Sequence, residues 1–125
     1  MENPSVARRC RRTGPMDVFR QIVHDRDGGH CVRCNNAQNL TIHRRLNRGM
    51  GSFGKEWINQ AHNLLLVCTV CNSWFEDHPR ESYARGWEVR RPMLPGEMTV
   101  TYPGGAQHVL RLDGSRSRVR PGDAA

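Results

Sequence analysis

Apolar residues along this chain recur first at helical spacing and then at strand spacing. Residues 15–27 carry apolar side chains at i, i+3 and i+4, which predicts an amphipathic helix that ends at Gly28. Residues 40–43 alternate between apolar and polar positions and predict a strand, and the apolar run 64–67 predicts a second one. A long polar, glycine-rich loop is expected between them, over residues 44–62.

Residues 72–112 show helical patterns first and strand patterns after them. Helices are predicted over residues 72–76 and over 79–85, and a strand over residues 87–90. Residues 98–102 and 108–112, on either side of a Pro-Gly-Gly turn, predict a β-hairpin. The expected fold class is therefore a small α+β domain.

Two Cys-x-x-Cys pairs flank the predicted loop: Cys31 with Cys34, and Cys68 with Cys71. Such pairs let four thiolates close a tetrahedral zinc site at Zn–S distances of about 2.3 Å. Residues 35–67 separate the pairs, which is more than the roughly 15–20 residues of a common four-cysteine site. The alternative is two disulfides in a secreted protein.

Several features favour structural Zn²⁺ over disulfides. No apolar signal-peptide segment begins the chain, and the longest apolar run, Leu64–Cys68, is far too short to cross a membrane. We therefore expect a cytoplasmic protein with no membrane association, in which the cysteines are reduced. A hydrophobic content of 37% also makes a metal a useful support for a small core.

The net charge of +7 favours an acidic partner such as nucleic acid. Lys55 is the single lysine among 19 basic residues, so the arginine excess also fits a compositional bias of the coding sequence. Charge alone therefore leaves nucleic-acid binding open.

Three segments together carry a resemblance to a known family: the first cysteine pair, residues 41–51 (TIHRRLNRGMG) and residues 62–74 (HNLLLVCTVCNSW). In their order and spacing they resemble an HNH endonuclease of the ββα-metal type with a four-cysteine zinc clamp, common in bacteriophages of actinobacteria. The resemblance covers residues 16–90. It implies a two-stranded hairpin and a helix that together hold a divalent cation and DNA.

The resemblance also implies roles for single residues. His43 matches a ligand of the catalytic metal, and Arg44 falls where the family has its histidine general base. Asn63 matches the asparagine that ties the loop together by hydrogen bonds. Asn72 and Glu76 match the metal ligands on the helix.

Three of these positions depart from the family pattern. An arginine cannot act as a general base, since it stays protonated and has no acceptor lone pair, but Arg44 can bind or orient a phosphate. Asn72 and Glu76 stand where histidines are usual. With His43 they would form a harder donor set, which favours Mg²⁺ or Mn²⁺ over Zn²⁺.

Basic residues of the predicted loop, Arg45, Arg48 and Lys55, are expected to contact phosphates together with Arg44, because neighbouring glycines permit a close approach. Three functions stay open: a metal-dependent DNA endonuclease, a catalytically degenerate DNA-binding module, and a phage packaging or assembly accessory protein that binds a terminase.

The sequence thus divides into four parts. Residues 1–15 are expected to form a basic flexible arm and residues 16–91 a zinc-stapled, HNH-like domain. Residues 92–112 would be a C-terminal hairpin extension, and residues 113–125 a disordered tail.

Overall fold

An antiparallel hairpin is the centre of the fold. In the computed structural model, which describes residues 17–46 and 56–120, β1 (Leu40–Arg44) pairs with β2 (Leu64–Cys68). The register sets His43 opposite Leu65. All five residues of β2 are buried, because this strand is covered on both faces. The predicted strands are confirmed, each with one more residue than expected.

Helices flank the hairpin. The described helices are α1 (Asp17–Arg26), α2 (Thr69–Asp77) and α3 (Pro79–Ala84), with short 3-10 turns at Glu56–Asn59, Ala61–Asn63 and Pro95–Glu97. Helix α2 begins directly after β2, with Cys68 as its N-cap. Proline at the first position of α3 fits a helix start, where its missing N–H costs nothing.

The C-terminal part differs from two expectations. Residues 87–90 form no strand; instead, the Val89 N–H donates to the carbonyl of Arg45. The predicted hairpin exists as β3 (Val100–Thr101) and β4 (Gln107–Leu110), but a third strand, β5 (Arg116–Arg118), pairs with β4. The expectation of disorder from residue 113 onward is therefore wrong for residues 113–120. A turn with Gly114 at φ +91° permits this extra pairing.

The C-terminal sheet shares a hydrophobic core with the cysteines. Val100, Tyr102 and Leu110 pack in one buried cluster with Phe75, Trp87 and three of the four clustered cysteines. The indole N–H of Trp87 donates to the Thr101 carbonyl at 2.8 Å. Residues 92–112, which the sequence predicts as a separate C-terminal extension, therefore complete the hydrophobic core of the domain.

A buried ion pair joins α1 to both sheets. The guanidinium of Arg26 contacts both carboxylate oxygens of Asp27 at 2.8 and 2.9 Å. The same carboxylate accepts from the Tyr102 hydroxyl at 2.6 Å and from the Leu66 N–H at 3.0 Å. Because both charges are satisfied by hydrogen bonds, the desolvation penalty of a buried pair is offset.

Candidate functional site

The four cysteines of the two pairs converge on one point. Their sulfur atoms all lie within 4.8 Å of one another, and Cys34 Sγ is 3.6 Å from Cys68 Sγ. A tetrahedral zinc with Zn–S bonds of about 2.3 Å requires sulfurs about 3.8 Å apart, whereas a disulfide requires about 2.05 Å. The cysteines can therefore hold a metal ion, with a geometry compatible with structural zinc.

Tight local turns aim these sulfurs inward. The Asn35 N–H donates to the Cys31 carbonyl and the Cys31 N–H to the Asn36 carbonyl, with Asn35 at φ +67°. On the other side, the first turn of α2 brings the Cys71 N–H to 3.4 Å from Cys68 Sγ. A knuckle and a helix N-terminus thus face each other across the cluster.

Arg33 supports the sulfur cluster from outside. Its guanidinium donates to Cys71 Sγ at 3.3 Å and stacks 3.5 Å from the centre of the Trp74 ring. Burial raises the pKa of the Cys71 thiol to about 12, while the hydrogen bond from Arg33 acts in the opposite direction. The single positive charge of Arg33 does not balance the negative charges of four thiolates. The four cysteines therefore need a bound cation to be fully ionised.

His43 forms the centre of a second group of polar side chains. It is 7% exposed, its Nε2 donates to the Trp87 carbonyl at 2.9 Å, and its ring lies 4.6 Å from that of Phe75. Burial, together with the charge of Arg45, lowers the pKa of His43 to about 4, although the hydrogen bonds to Trp87 and Asn72 oppose this shift. The imidazole is therefore neutral at pH 7, the form that binds metals.

One carboxylate, that of Glu88, lies beside this histidine. Glu88 Oε2 is 4.0 Å from His43 Nε2, and burial and the charge of Glu76 raise the pKa of Glu88. Asn72 hydrogen-bonds the His43 side chain, and Glu76 follows one turn later on α2. His43, Asn72, Glu76 and Glu88 are referred to below as the His43 site.

Glu88 was missed by the sequence prediction. The alternation over residues 87–90 assigned it to the polar face of a strand, and no pattern along the chain indicates its approach to His43 from 45 residues away. Within residues 17–46 and 56–120, the cysteines are the one group of three or more His, Cys, Asp or Glu residues whose ligand atoms lie within mutual reach of a cation. The ligand atoms of His43, Glu76 and Glu88 are therefore not all within mutual reach of one cation.

Arg44 is held away from this group. Its Nε donates to the Asn59 side-chain oxygen at 2.7 Å. Adjacent strand residues point to opposite faces of a sheet, and Ile42, two positions earlier, packs toward α1. The residue at the predicted general-base position is thus directed toward the 3-10 turn Glu56–Asn59.

The prediction that Arg45 contacts phosphate is wrong. Arg45 is 1% exposed, and its guanidinium donates to four backbone carbonyls, those of Gly86, His62, Pro95 and Met98. Burial lowers its pKa to about 9, so it remains charged at pH 7. It joins the end of the hairpin to the C-terminal segment and presents no surface to a ligand.

Asn63 has the tying role that the resemblance implies. It is fully buried, its amide N–H groups donate to the carbonyls of Leu46 and Ile58, and its oxygen accepts from the Leu46 N–H. These bonds close the loop at its base. Arg48 and Lys55, the other two predicted phosphate contacts, lie outside the described residues.

Comparisons of the chain with protein-family models, with curated proteins and with solved structures give no significant match. Among the helices of the described residues, none has the length and apolar character to span a bilayer.

The buried neutral His43 predicts a pH-dependent stability. The folded protein keeps this imidazole unprotonated down to a pKa of about 4, whereas the unfolded chain protonates it near pH 6.5. The unfolded state therefore binds more protons between these values, and the free energy of unfolding decreases as the pH falls. From pH 7 to 5.5 this histidine should cost about 1 kcal/mol of stability.

Urea unfolding of the wild type and of His43→Gln at both pH values, without added divalent cations, isolates this contribution. The loss between pH 7 and 5.5 should be about 1 kcal/mol smaller in the variant, because the lowered pKa values of His62 and His108 act in both proteins. Equal losses in the two proteins would contradict the assignment.

Proposed function

We propose that this chain is a ββα-metal protein with one structural Zn²⁺, and that it acts as an HNH-type endonuclease which hydrolyses DNA phosphodiester bonds with Mg²⁺ or Mn²⁺. The observation that carries the proposal is that His43, near the end of β1, is hydrogen-bonded to Asn72 of α2 and lies 4.0 Å from the Glu88 carboxylate. Strand, strand and helix occur in the order that the resemblance implies.

The two metal sites would have separate tasks. Four thiolates close the coordination of a zinc ion and leave no open position, so Cys31, Cys34, Cys68 and Cys71 would support the fold rather than the chemistry. A neutral imidazole, an amide oxygen and carboxylates are instead ligands for a hard cation. When bound, such a cation supplies positive charge to the phosphate and to the leaving oxygen.

In this proposal, His43 and Glu88 would offer donor atoms to the cation. Because Nε2 donates to the Trp87 carbonyl, the lone pair of the neutral His43 ring lies on Nδ1. Burial and the mutual repulsion of Glu76 and Glu88 raise the pKa of Glu88, and a cation between them would relieve this repulsion. Glu88 also offers acceptor oxygens, which Arg44 lacks.

A second candidate function has an observation of its own. Arg44 occupies the expected base position, is bound to Asn59, and cannot accept a proton. This favours a catalytically degenerate module that binds DNA without cutting it.

Incubation with supercoiled plasmid and Mg²⁺, Mn²⁺ or Ni²⁺ tests the proposal. We expect the wild type to nick the plasmid in the presence of a divalent cation. His43→Ala and Glu88→Gln should each reduce the rate at least tenfold, since each removes a donor from the site. Arg118→Gln, which removes an exposed arginine from strand β5, is the matched control and should stay active.

The outcome separates the two functions. An inactive wild type that still shifts DNA, together with activity gained in Arg44→His, would establish the degenerate module and overturn the nuclease. If no DNA shift appears even at low salt, where phosphate contacts are strongest, both functions are excluded.

A further inference from the structure

A groove of about 470 Å³ lies next to the His43 site. Its lining includes Arg80, Tyr83, Glu88, Arg90, Met93 and Met98. Glu88 belongs to both features, because this residue lines the groove and its Oε2 lies 4.0 Å from His43 Nε2. A molecule bound in the groove would therefore extend directly to the proposed cleavage site.

We propose that this groove binds an unpaired nucleotide of the DNA substrate, with its base stacked at Tyr83 and its phosphates at Arg80 and Arg90. The inference rests on the proposed function for its substrate class, but its test does not depend on cleavage. A volume of this size is typical of small-ligand sites, and a single nucleotide fits it.

The chemistry of the lining supports a base. Tyr83 is half-buried, and the Arg90 guanidinium lies 4.5 Å from the centre of its ring. An aromatic ring with a stacked arginine is the platform on which single-stranded nucleic acids are bound without regard to sequence. Met93, which is 42% exposed, and Met98 add adaptable apolar surface beside the ring.

Two exposed arginines offer positive charge to the phosphates of the nucleotide. Arg80 and Arg90 are both exposed and both line the groove. An acidic peptide would also be attracted by the arginines, but it would gain little from the flat aromatic face. Stacking requires an unpaired base, so we expect single-stranded or locally melted DNA to be preferred over duplex.

Fluorescence anisotropy with a labelled dC8 oligonucleotide and with a duplex of equal length tests this preference, in buffer without added divalent cation. We expect the wild type and Arg118→Gln to bind dC8 with similar affinity. Tyr83→Leu, which keeps apolar bulk but removes the ring, should weaken binding about tenfold. Tyr83→Trp should retain dC8 binding. Arg80→Gln should reduce the salt dependence of the binding affinity, whereas Arg118→Gln should leave it unchanged.

Methionine methyl NMR locates the ligand. With ¹³C-methyl methionine labelling, dC8 should shift the signals of Met93 and Met98, which line the groove. Undisturbed Met93 and Met98 signals, or equal binding by Tyr83→Leu and wild type, would overturn the proposal even if the protein cleaves plasmid. Binding that depends on Tyr83 in a protein that cuts nothing would uphold the groove and refute the nuclease.

Discussion

Cys34→Ser is expected to unfold the protein at 25 °C. Cys34 is an exposed residue, so serine removes almost no packing, and the effect reports on the metal site itself. Binding of a structural zinc contributes on the order of 10 kcal/mol to folding, more than a small domain has in reserve. Complete zinc removal by a chelator should have the same effect.

Near-UV circular dichroism and zinc content measure this result together. The aromatic signal should vanish with the metal, because Phe75 and Trp87 pack in the same cluster as Cys31, Cys68 and Cys71. Cys10→Ser, which changes the one cysteine outside the two pairs, is the matched control and should keep both zinc and signal. A native near-UV spectrum after complete zinc removal would refute the structural role.

Arg45→Met is expected to destabilise the fold by about 4 kcal/mol, the second largest effect. The variant leaves the carbonyls of Gly86, His62, Pro95 and Met98 without the guanidinium that they share. Arg45→Lys should recover only part of the loss, because an ammonium has three donors and lacks the planar fork of the guanidinium. The urea midpoints of the wild type, Arg45→Met and Arg45→Lys at pH 7 measure these stability differences.

Arg118→Met is the control for this substitution, because it removes an exposed arginine and should change stability by less than about 0.5 kcal/mol. If Arg45→Met were as mild as this control, the four carbonyl bonds would not carry the stability assigned to them.

Local patterns predicted most of the backbone correctly. The alternation at residues 40–43 and the apolar run at 64–67 predicted β1 and β2, and the helical spacing after Pro15 predicted α1. Prediction failed where a partner comes from far along the chain. Strand β5 contains arginine and serine only, with no apolar alternation, and its pairing with β4 supplies the order that its sequence lacks.

The two candidate metal sites differ in the same way. The four cysteines were identifiable because the spacing of a Cys-x-x-Cys pair is a local constraint that the turn itself enforces. Glu88 was not identifiable from the sequence, because its approach to His43 depends on the packing of Trp87 against Phe75 and against the C-terminal sheet.

Sequence alone determined the helices, the central hairpin and the cysteine cluster of this protein, because each follows from short-range periodicity or spacing. Tertiary structure decided which arginines are available to a ligand. Arg44 and Arg45 are neighbours with the same side chain, yet Arg45 is 1% exposed and serves the fold, while Arg44 is half-buried and bound to Asn59. Burial depends on what packs from elsewhere in the chain, and only the folded structure contains that information.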